Sequence, residues 1–169
     1  MAGAEDFPPV IVCDAGPLIH LDQVGCVDLL NDFPKVLVPE TVWEEVMRHR
    51  PPALRGEPSR FDRARVPGSL SAELEALSRL LALHRGELEA LQVAEAYPGC
   101  LLLTDDAAAR LAGRNLGLPV HGTLGILVRA IRRKQRTKDQ VLVILRSLPT
   151  TSTLHVRSTL LEDIIRQVE

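Results

Sequence analysis

Three short, almost continuous apolar runs divide this chain: Val10–Cys13, residues 36–38 and Leu101–Leu103. Runs of this kind belong to strands buried on both faces, and such strands occur in parallel sheets covered by helices above and below. Helical spacing fills the intervals. Pro17 suits the first turn of a helix whose apolar face continues through Leu18, Ile19, Leu21 and Val24, is interrupted near Gly25 and resumes from Cys26 to Leu30. Pro39 starts a helix carrying Val42, Trp43, Val46 and Met47 on one side. Ser71 caps a helix through Leu74, Leu77, Leu80 and Leu81, and Gly86-Glu87 opens another that Pro98-Gly99 ends. An Ala-rich helix follows at 106–116, stopped by Gly117. A short strand at 119–121 leads through Gly122-Thr123 into a helix with Leu124, Leu127, Val128 and Ile131. The pattern predicts further helices at 138–147, broken by Pro149 and the TTST run, and at 158–168. The Arg- and Pro-rich stretch 48–68 reads as an irregular loop with a short strand near Arg65-Val66. Strands alternating with helices in this way predict an α/β fold with a mostly parallel central sheet. The whole chain, 1–169, reads as one domain, with 48–68 as a loop inside it and 137–169 as C-terminal helices.

Composition removes several classes of function. Hydrophobic residues at 46% and charged residues at 25% exclude disorder as the main state. A formal charge of -2 gives no global attraction to nucleic acid, so any nucleic-acid site must come from local segregation of charge. Aromatic residues at 3% argue against a base-stacking platform. Cys13, Cys26 and Cys100 lack metal-type spacing and fit buried thiols in a reducing compartment. The N-terminal MAGAEDFPP has no signal pattern, and no apolar stretch approaches the roughly 18 residues of a membrane span. The expected location is the cytoplasm.

The chemistry-bearing residues are acids placed where an α/β fold gathers them. Asp14 ends the first apolar run, and Asp105 and Asp106 follow the third. Glu45, beside Glu44, and Glu87, near Glu89, lie on helical segments. Functional groups in parallel sheets sit just past the strand C-termini. Two carboxylates there, joined by two from flanking helices, repel one another, and a divalent cation relieves the repulsion. Each acid also has a plainer use, as a helix cap or a solvated surface charge. The segment Arg129, Arg132, Arg133, Lys134, Arg136 and Lys138 is the strongest basic cluster; phosphate contact and helix-end electrostatics both account for it. His20, His49, His84, His121 and His155 are scattered and read as surface or packing residues. Neither a GxGxxG nor a GxxxxGK[ST] loop is present.

Five segments in order, VIVCDAGPLIHL, VPETVWEEV, HRGELEALQVA, LLLTDDAAAR and GLPVHGTLGIL, resemble a PIN domain. More narrowly, they resemble the PIN-like toxin nucleases of bacterial and archaeal type II toxin–antitoxin modules. The resemblance implies a three-layer α/β/α sandwich around a mostly parallel sheet, and cleavage of RNA with Mg²⁺ or Mn²⁺. By motif it places the catalytic acids at Asp14, Glu45, Glu87 and Asp106. It places the metal ligands at Asp14, Asp106 and Glu87, with Asp105 in the intervening place. Thr104 would orient an Asp carboxylate from behind. Arg129, Arg132, Arg133, Lys134 and Arg136 would contact RNA. A cognate antitoxin and a homodimer are the partners implied. Two departures stand out: Ala15 and Gly16 where the family often has Ser, Thr or Asn, and Ala108 where a further acid often follows. They keep open a second reading, a PIN-like module that binds RNA or a protein without cleaving. A phosphoacceptor receiver domain fits less well, because the acid pair comes late and no strand-end Lys is present.

Overall fold

A computed structural model of the chain describes residues 10–55 and 61–169. Five parallel strands form the central sheet: β1 (Val10–Cys13), β2 (Lys35–Pro39), β3 (Phe61–Ala64), β4 (Leu101–Leu103) and β5 (Val120–His121), in the order β3-β2-β1-β4-β5. The helices are α1 (Ala15–Gln23), α2 (Glu40–His49), α3 (Ala72–Leu81), α4 (Arg85–Glu95), α5 (Ala107–Asn115), α6 (Thr123–Arg132), α7 (Lys138–Thr151) and α8 (Ser158–Val168). Short 3-10 segments lie at Val27–Asp32 and Pro51–Leu54.

The strand pleat explains the three layers. Successive side chains point to opposite faces. Ile11, Cys13, Val36, Val38, Leu101 and Leu103 join one buried cluster, completed by α1, α6 and α7 residues such as Leu18, Ile126 and Leu145. Val12, Leu37 and Leu102 join the other, with Leu74 of α3, Leu91 of α4 and Ala112 of α5. A strand with both faces covered needs apolar residues at every position, which is why these runs do not alternate. The α/β sandwich expected from the sequence is therefore the fold found.

Strand order sets the place of the site. β1 is central, and the chain leaves it to one side through β2 and β3 before returning to the other through β4 and β5. The crevice between β1 and β4 is the point where the winding reverses, the usual place for ligands in open parallel sheets. Register pairs Cys13 with Leu103, so Asp14 and Thr104 leave the sheet side by side.

Two boundaries differ from the sequence pattern. The third strand lies at Phe61–Ala64, upstream of Arg65-Val66, because Val36 to Pro39 pairs with these four residues and buries Phe61 and Ala64. Residues 56–60 of the expected loop, and the N-terminal residues 1–9, lie outside the described residues. Helix α7 does not stop at 147 but runs through Pro149 to Thr151. Proline in the final turn removes only one backbone bond. Buried Leu145 and Leu148 keep that turn docked, and the hydroxyls of Thr150 and Thr151 each donate to Ser147 O at 2.9 Å. The TTST run thus finishes the helix instead of preventing it. Among the described residues no helix is long and apolar enough to cross a membrane.

Helix α5 approaches the sheet closely at Gly113, where an added Cβ would lie 2.8 Å from Val120 Cγ2 and 3.0 Å from Leu102 Cδ2. Alanine would improve helix propensity by about 1 kcal/mol. Overpacking typically costs about 1–3 kcal/mol, which outweighs it. Gly113→Ala is expected to lower the melting temperature by roughly 2–4 °C per kcal/mol of net loss. Thermal unfolding followed by circular dichroism checks this, and an unchanged or raised midpoint would contradict the close approach.

Candidate active site

Asp14 forms the floor of a pocket of about 470 Å³ whose lining includes Glu45, Glu87, Asp105, Asp106, His20 and His155. Asp14 terminates β1 and starts α1. Its N–H donates to Leu103 O at 2.9 Å, which ties the ends of β1 and β4. Its Oδ1 accepts from Ala15 N at 2.8 Å, and its Oδ2 accepts from Thr104 Oγ1 at 2.8 Å. Thr104 is fully buried, and its Oγ1 also accepts from Asp106 N at 3.2 Å. One hydroxyl therefore links the acid after β1 to the acid after β4.

Asp106 caps α5, with Oδ1 accepting from Ala109 N at 2.8 Å. Glu87 belongs to the first turn of α4 and closes a capping box: its Oε2 accepts from His84 N at 2.8 Å and its Oε1 lies 3.2 Å from His84 Nδ1. Contact with Glu87 holds the His84 imidazole above its ordinary range. The capping and pocket readings of these acids are not exclusive, since each caps a helix and still lines the cavity.

The paired glutamates separate by direction. Glu45 lines the pocket, and its Oε2 would lie 3.5 Å from a Cβ at Gly86. Glu44 is exposed and lies 4.0 Å from Arg63. Glu89 points away from the pocket and caps α2, accepting from Thr41 N at 3.0 Å and from Thr41 Oγ1 at 2.7 Å. Adjacent helical residues lie about 100° apart and residues two apart about 200°, which explains both splits.

Asp105 has partners within the fold. It lines the pocket, but its carboxylate is already engaged. Oδ2 lies 2.7 Å from His20 Nδ1 and accepts from Thr123 Oγ1 at 2.6 Å, while Oδ1 accepts from Thr123 N at 2.7 Å. It clasps the start of α6 to α1.

The basic cluster is largely paired within the fold. Helix α6 starts beside Asp105, and the basic residues come at its C-terminal end. None of Arg129, Arg132, Arg133, Lys134 and Arg136 lines the acidic pocket. Arg129 is buried over Phe33, 4.3 Å from the ring centroid, and its guanidinium and that of Arg133 both bond Asp32. Arg136 bonds Asp28 through both carboxylate oxygens at 2.7 Å. Their partners come from the 3-10 segment Val27–Asp32, separated by 97 to 108 residues in the chain, so the pairing leaves no local trace. Arg132, Arg133 and Lys134 are the exposed members.

Sequence reasoning passes over three histidines that line the pocket: His20, His84 and His155. His84-x-x-Glu87 is a capping-box spacing and is legible in principle. His20 finds its partner 85 residues on, and His155 reaches the pocket from the segment after α7; neither has a local signal.

Electrostatics follow from this geometry. Burial pushes the Asp14 carboxyl up from 3.8 to about 6 against the pull of the Thr104 and Ala15 hydrogen bonds, and the charges of Glu87 and Glu45 add to the rise. Among the described residues no group of three or more His, Cys, Asp or Glu is gathered closely enough to hold a metal ion as the side chains stand. The donor set fits a hard divalent cation in kind. Asp14, Glu45, Glu87 and Asp106 offer only oxygen, and Mg²⁺ commonly takes one or two carboxylates and keeps its waters.

A parallel sandwich with acids at the β1/β4 crevice defines an α/β carboxylate-site protein. The sequence profile of the PIN domain matches residues 10–169, and the chain belongs to the PIN-domain family. PIN domains are generally nucleases and generally use divalent metal ions. No curated protein matches the chain.

The raised Asp14 value has a defined sign. The folded chain keeps a proton that the unfolded chain releases, so this contribution to stability is present below pH 3.8 and lost as pH rises through about 6. The loss at neutral pH is on the order of 3 kcal/mol. An asparagine in place of Asp14 keeps the Ala15 bond through its one oxygen, and its amide can donate to Thr104 Oγ1 once that hydroxyl turns its hydrogen away, without the charge. Asp14→Asn is expected to melt at or above wild type at pH 7 in EDTA and to flatten the pH dependence between about 4 and 6. Asp14→Ala, which loses the cap, is expected to melt lower by ~1 kcal/mol. Thermal melts across that pH range check both, and a lower-melting Asn variant would contradict the strain at Asp14.

Proposed function

We propose that this PIN-domain protein is a metal-dependent endoribonuclease that hydrolyses RNA phosphodiesters at the pocket above Asp14. The supporting observation is the convergence of Asp14, Glu45, Glu87 and Asp106 on one cavity, with Asp14 buried and destabilised as an anion by burial and by its acidic neighbours. Such a floor gains most from a bound cation. Mg²⁺ or Mn²⁺ would supply a water of lowered pKa and positive charge beside the phosphate. Asp14, fixed by Thr104 and the Ala15 amide, would hold the ion from the floor, and Asp106 and Glu87 would hold it from the rim. Glu45 would add negative charge without a bond of its own to a helix end. His84 would remain with Glu87, as a proton-bearing neighbour of that carboxylate. Single-metal use is favoured, since Asp105 is committed to His20 and Thr123.

The resemblance of the motifs to toxin nucleases extends the proposal to a toxin role in the cytoplasm, with an antitoxin protein as partner and a homodimer as the working unit. Co-expression with an adjacent small acidic reading frame that relieves growth arrest would support it. The withdrawal of Asp105 and the residues Ala15, Gly16 and Ala108 favour the second reading, a binding module without cleavage.

Cleavage of a panel of structured RNAs in Mg²⁺ or Mn²⁺ separates the two. Wild type is expected to cut, and Asp14→Asn and Asp106→Asn to lose activity while remaining folded. Thr104→Val removes the hydroxyl behind Asp14 and is expected to lower metal affinity or activity by roughly 10–100-fold. Saturating metal should also raise the wild-type melting point, since about 100 times the Kd adds ~2.7 kcal/mol. No cleavage together with a melting point indifferent to both ions would leave only the binding module.

A further inference from the structure

A second cavity, about 430 Å³, adjoins the acidic pocket and shares Asp105, Leu154 and His155 with it. Its character is opposite. Leu124, Leu160 and Ile164 form an apolar wall, and Arg110 and Arg157 supply the cationic side, with His121 beside them. The acid in its lining, Asp105, is already engaged by His20 and Thr123. Burial, and then the charges of Arg110, Arg132 and Arg129, hold His121 below its ordinary range, as expected in a positive field.

The cavity is built into the fold. Arg110 Nη1 donates to Thr104 O at 3.2 Å, which fixes the guanidinium next to the β4 end. A Cβ at Gly122 would come within 2.6 Å of Asp105 Oδ1 and 2.7 Å of Arg110 Nη1, and one at Gly125 within 3.0 Å of His121 Nδ1. Glycine at these two places keeps the floor open. The outer wall comes from the segment between α7 and α8. Gln23 Oε1 accepts from Ser152 Oγ at 3.0 Å and from Thr153 N at 2.8 Å, so α1 anchors that wall.

We propose that this cavity is a nucleotide subsite, taking the nucleotide next to the scissile phosphodiester with its base on Leu124, Leu160 and Ile164 and its phosphate on Arg110 and Arg157. The proposal rests on the nuclease reading for the neighbouring bond, and its occupant follows from charge and continuity. A guanidinium pair recognises phosphate, and guanidinium planes also stack on bases. The volume lies in the range of small-ligand sites and suits one nucleotide, not a folded partner. The shared wall places the occupant directly beside the acids. It also supplies the apolar surface for a base that the scarcity of aromatic residues withholds elsewhere.

The test uses the full chain with nucleoside 5′-monophosphates, with inorganic phosphate, and with uridine, in EDTA. Binding is followed by protein NMR shifts or calorimetry. Wild type is expected to bind mononucleotides more tightly than phosphate or nucleoside alone. Arg157→Gln and Leu160→Gln, both at exposed positions, are each expected to weaken mononucleotide binding roughly 5-fold while circular dichroism stays unchanged. Asp14→Asn is expected to keep it. In cleavage assays the same two variants should raise KM for short RNA by a similar factor. Phosphate binding as tightly as the mononucleotide, wild-type affinity in both variants, or loss of binding in Asp14→Asn would each overturn the proposal. If wild type binds mononucleotides as described but cuts no RNA in Mg²⁺ or Mn²⁺, the subsite stands as a binding site and the nuclease reading fails.

Discussion

The hydrogen bond from the buried Thr104 hydroxyl to Asp14 is the contact on which the rest of the site depends. It joins the residue after β1 to the residue after β4, the two strands flanking the reversal in sheet order. The same oxygen receives the amide of Asp106 and so aims the start of α5. A carboxylate sunk this deep is costly as an anion unless bonded or neutralised. Here two hydrogen bonds oppose burial and two acidic neighbours reinforce it, and burial prevails. The site therefore holds electrostatic strain in its floor, which a cation would relieve.

Much of this arrangement was legible in the sequence because it is local. The apolar runs at Val10–Cys13 and Leu101–Leu103 have no polar alternation, and a strand covered on both faces is their physical meaning. Asp14 stands directly after the first run and Asp106 three residues past the other, so the fold brings them to one edge. Glu45 and Glu87 were identified by motif resemblance, and helical phase then decided between them and their neighbours Glu44 and Glu89.

What the sequence concealed depends on distant partners. Asp105 looks like a second metal acid until His20 and Thr123 occupy it. Arg129, Arg133 and Arg136 look like a phosphate-binding stripe until Asp28 and Asp32 arrive from the far side of the chain. Charge clusters in sequence measure supply, and only the fold reveals how much of that supply is already engaged. Pro149 misleads differently. Its helix-breaking power depends on where in a helix it falls, and the packing of Leu145 and Leu148 fixes that position.

The segment linking α7 to α8 is bonded to Gln23 across separations of 129 and 130 residues. In a chain made from its N-terminus, Asp14, Glu45, Glu87 and Asp106 all leave the ribosome before Leu154 and His155 exist. The acids can meet in a nascent chain, but the wall shared by the two cavities is added after them. Synthesis itself thus imposes an order on the molecule: the acidic floor comes from residues made early, and the surface that would seat a substrate beside it comes from residues made later.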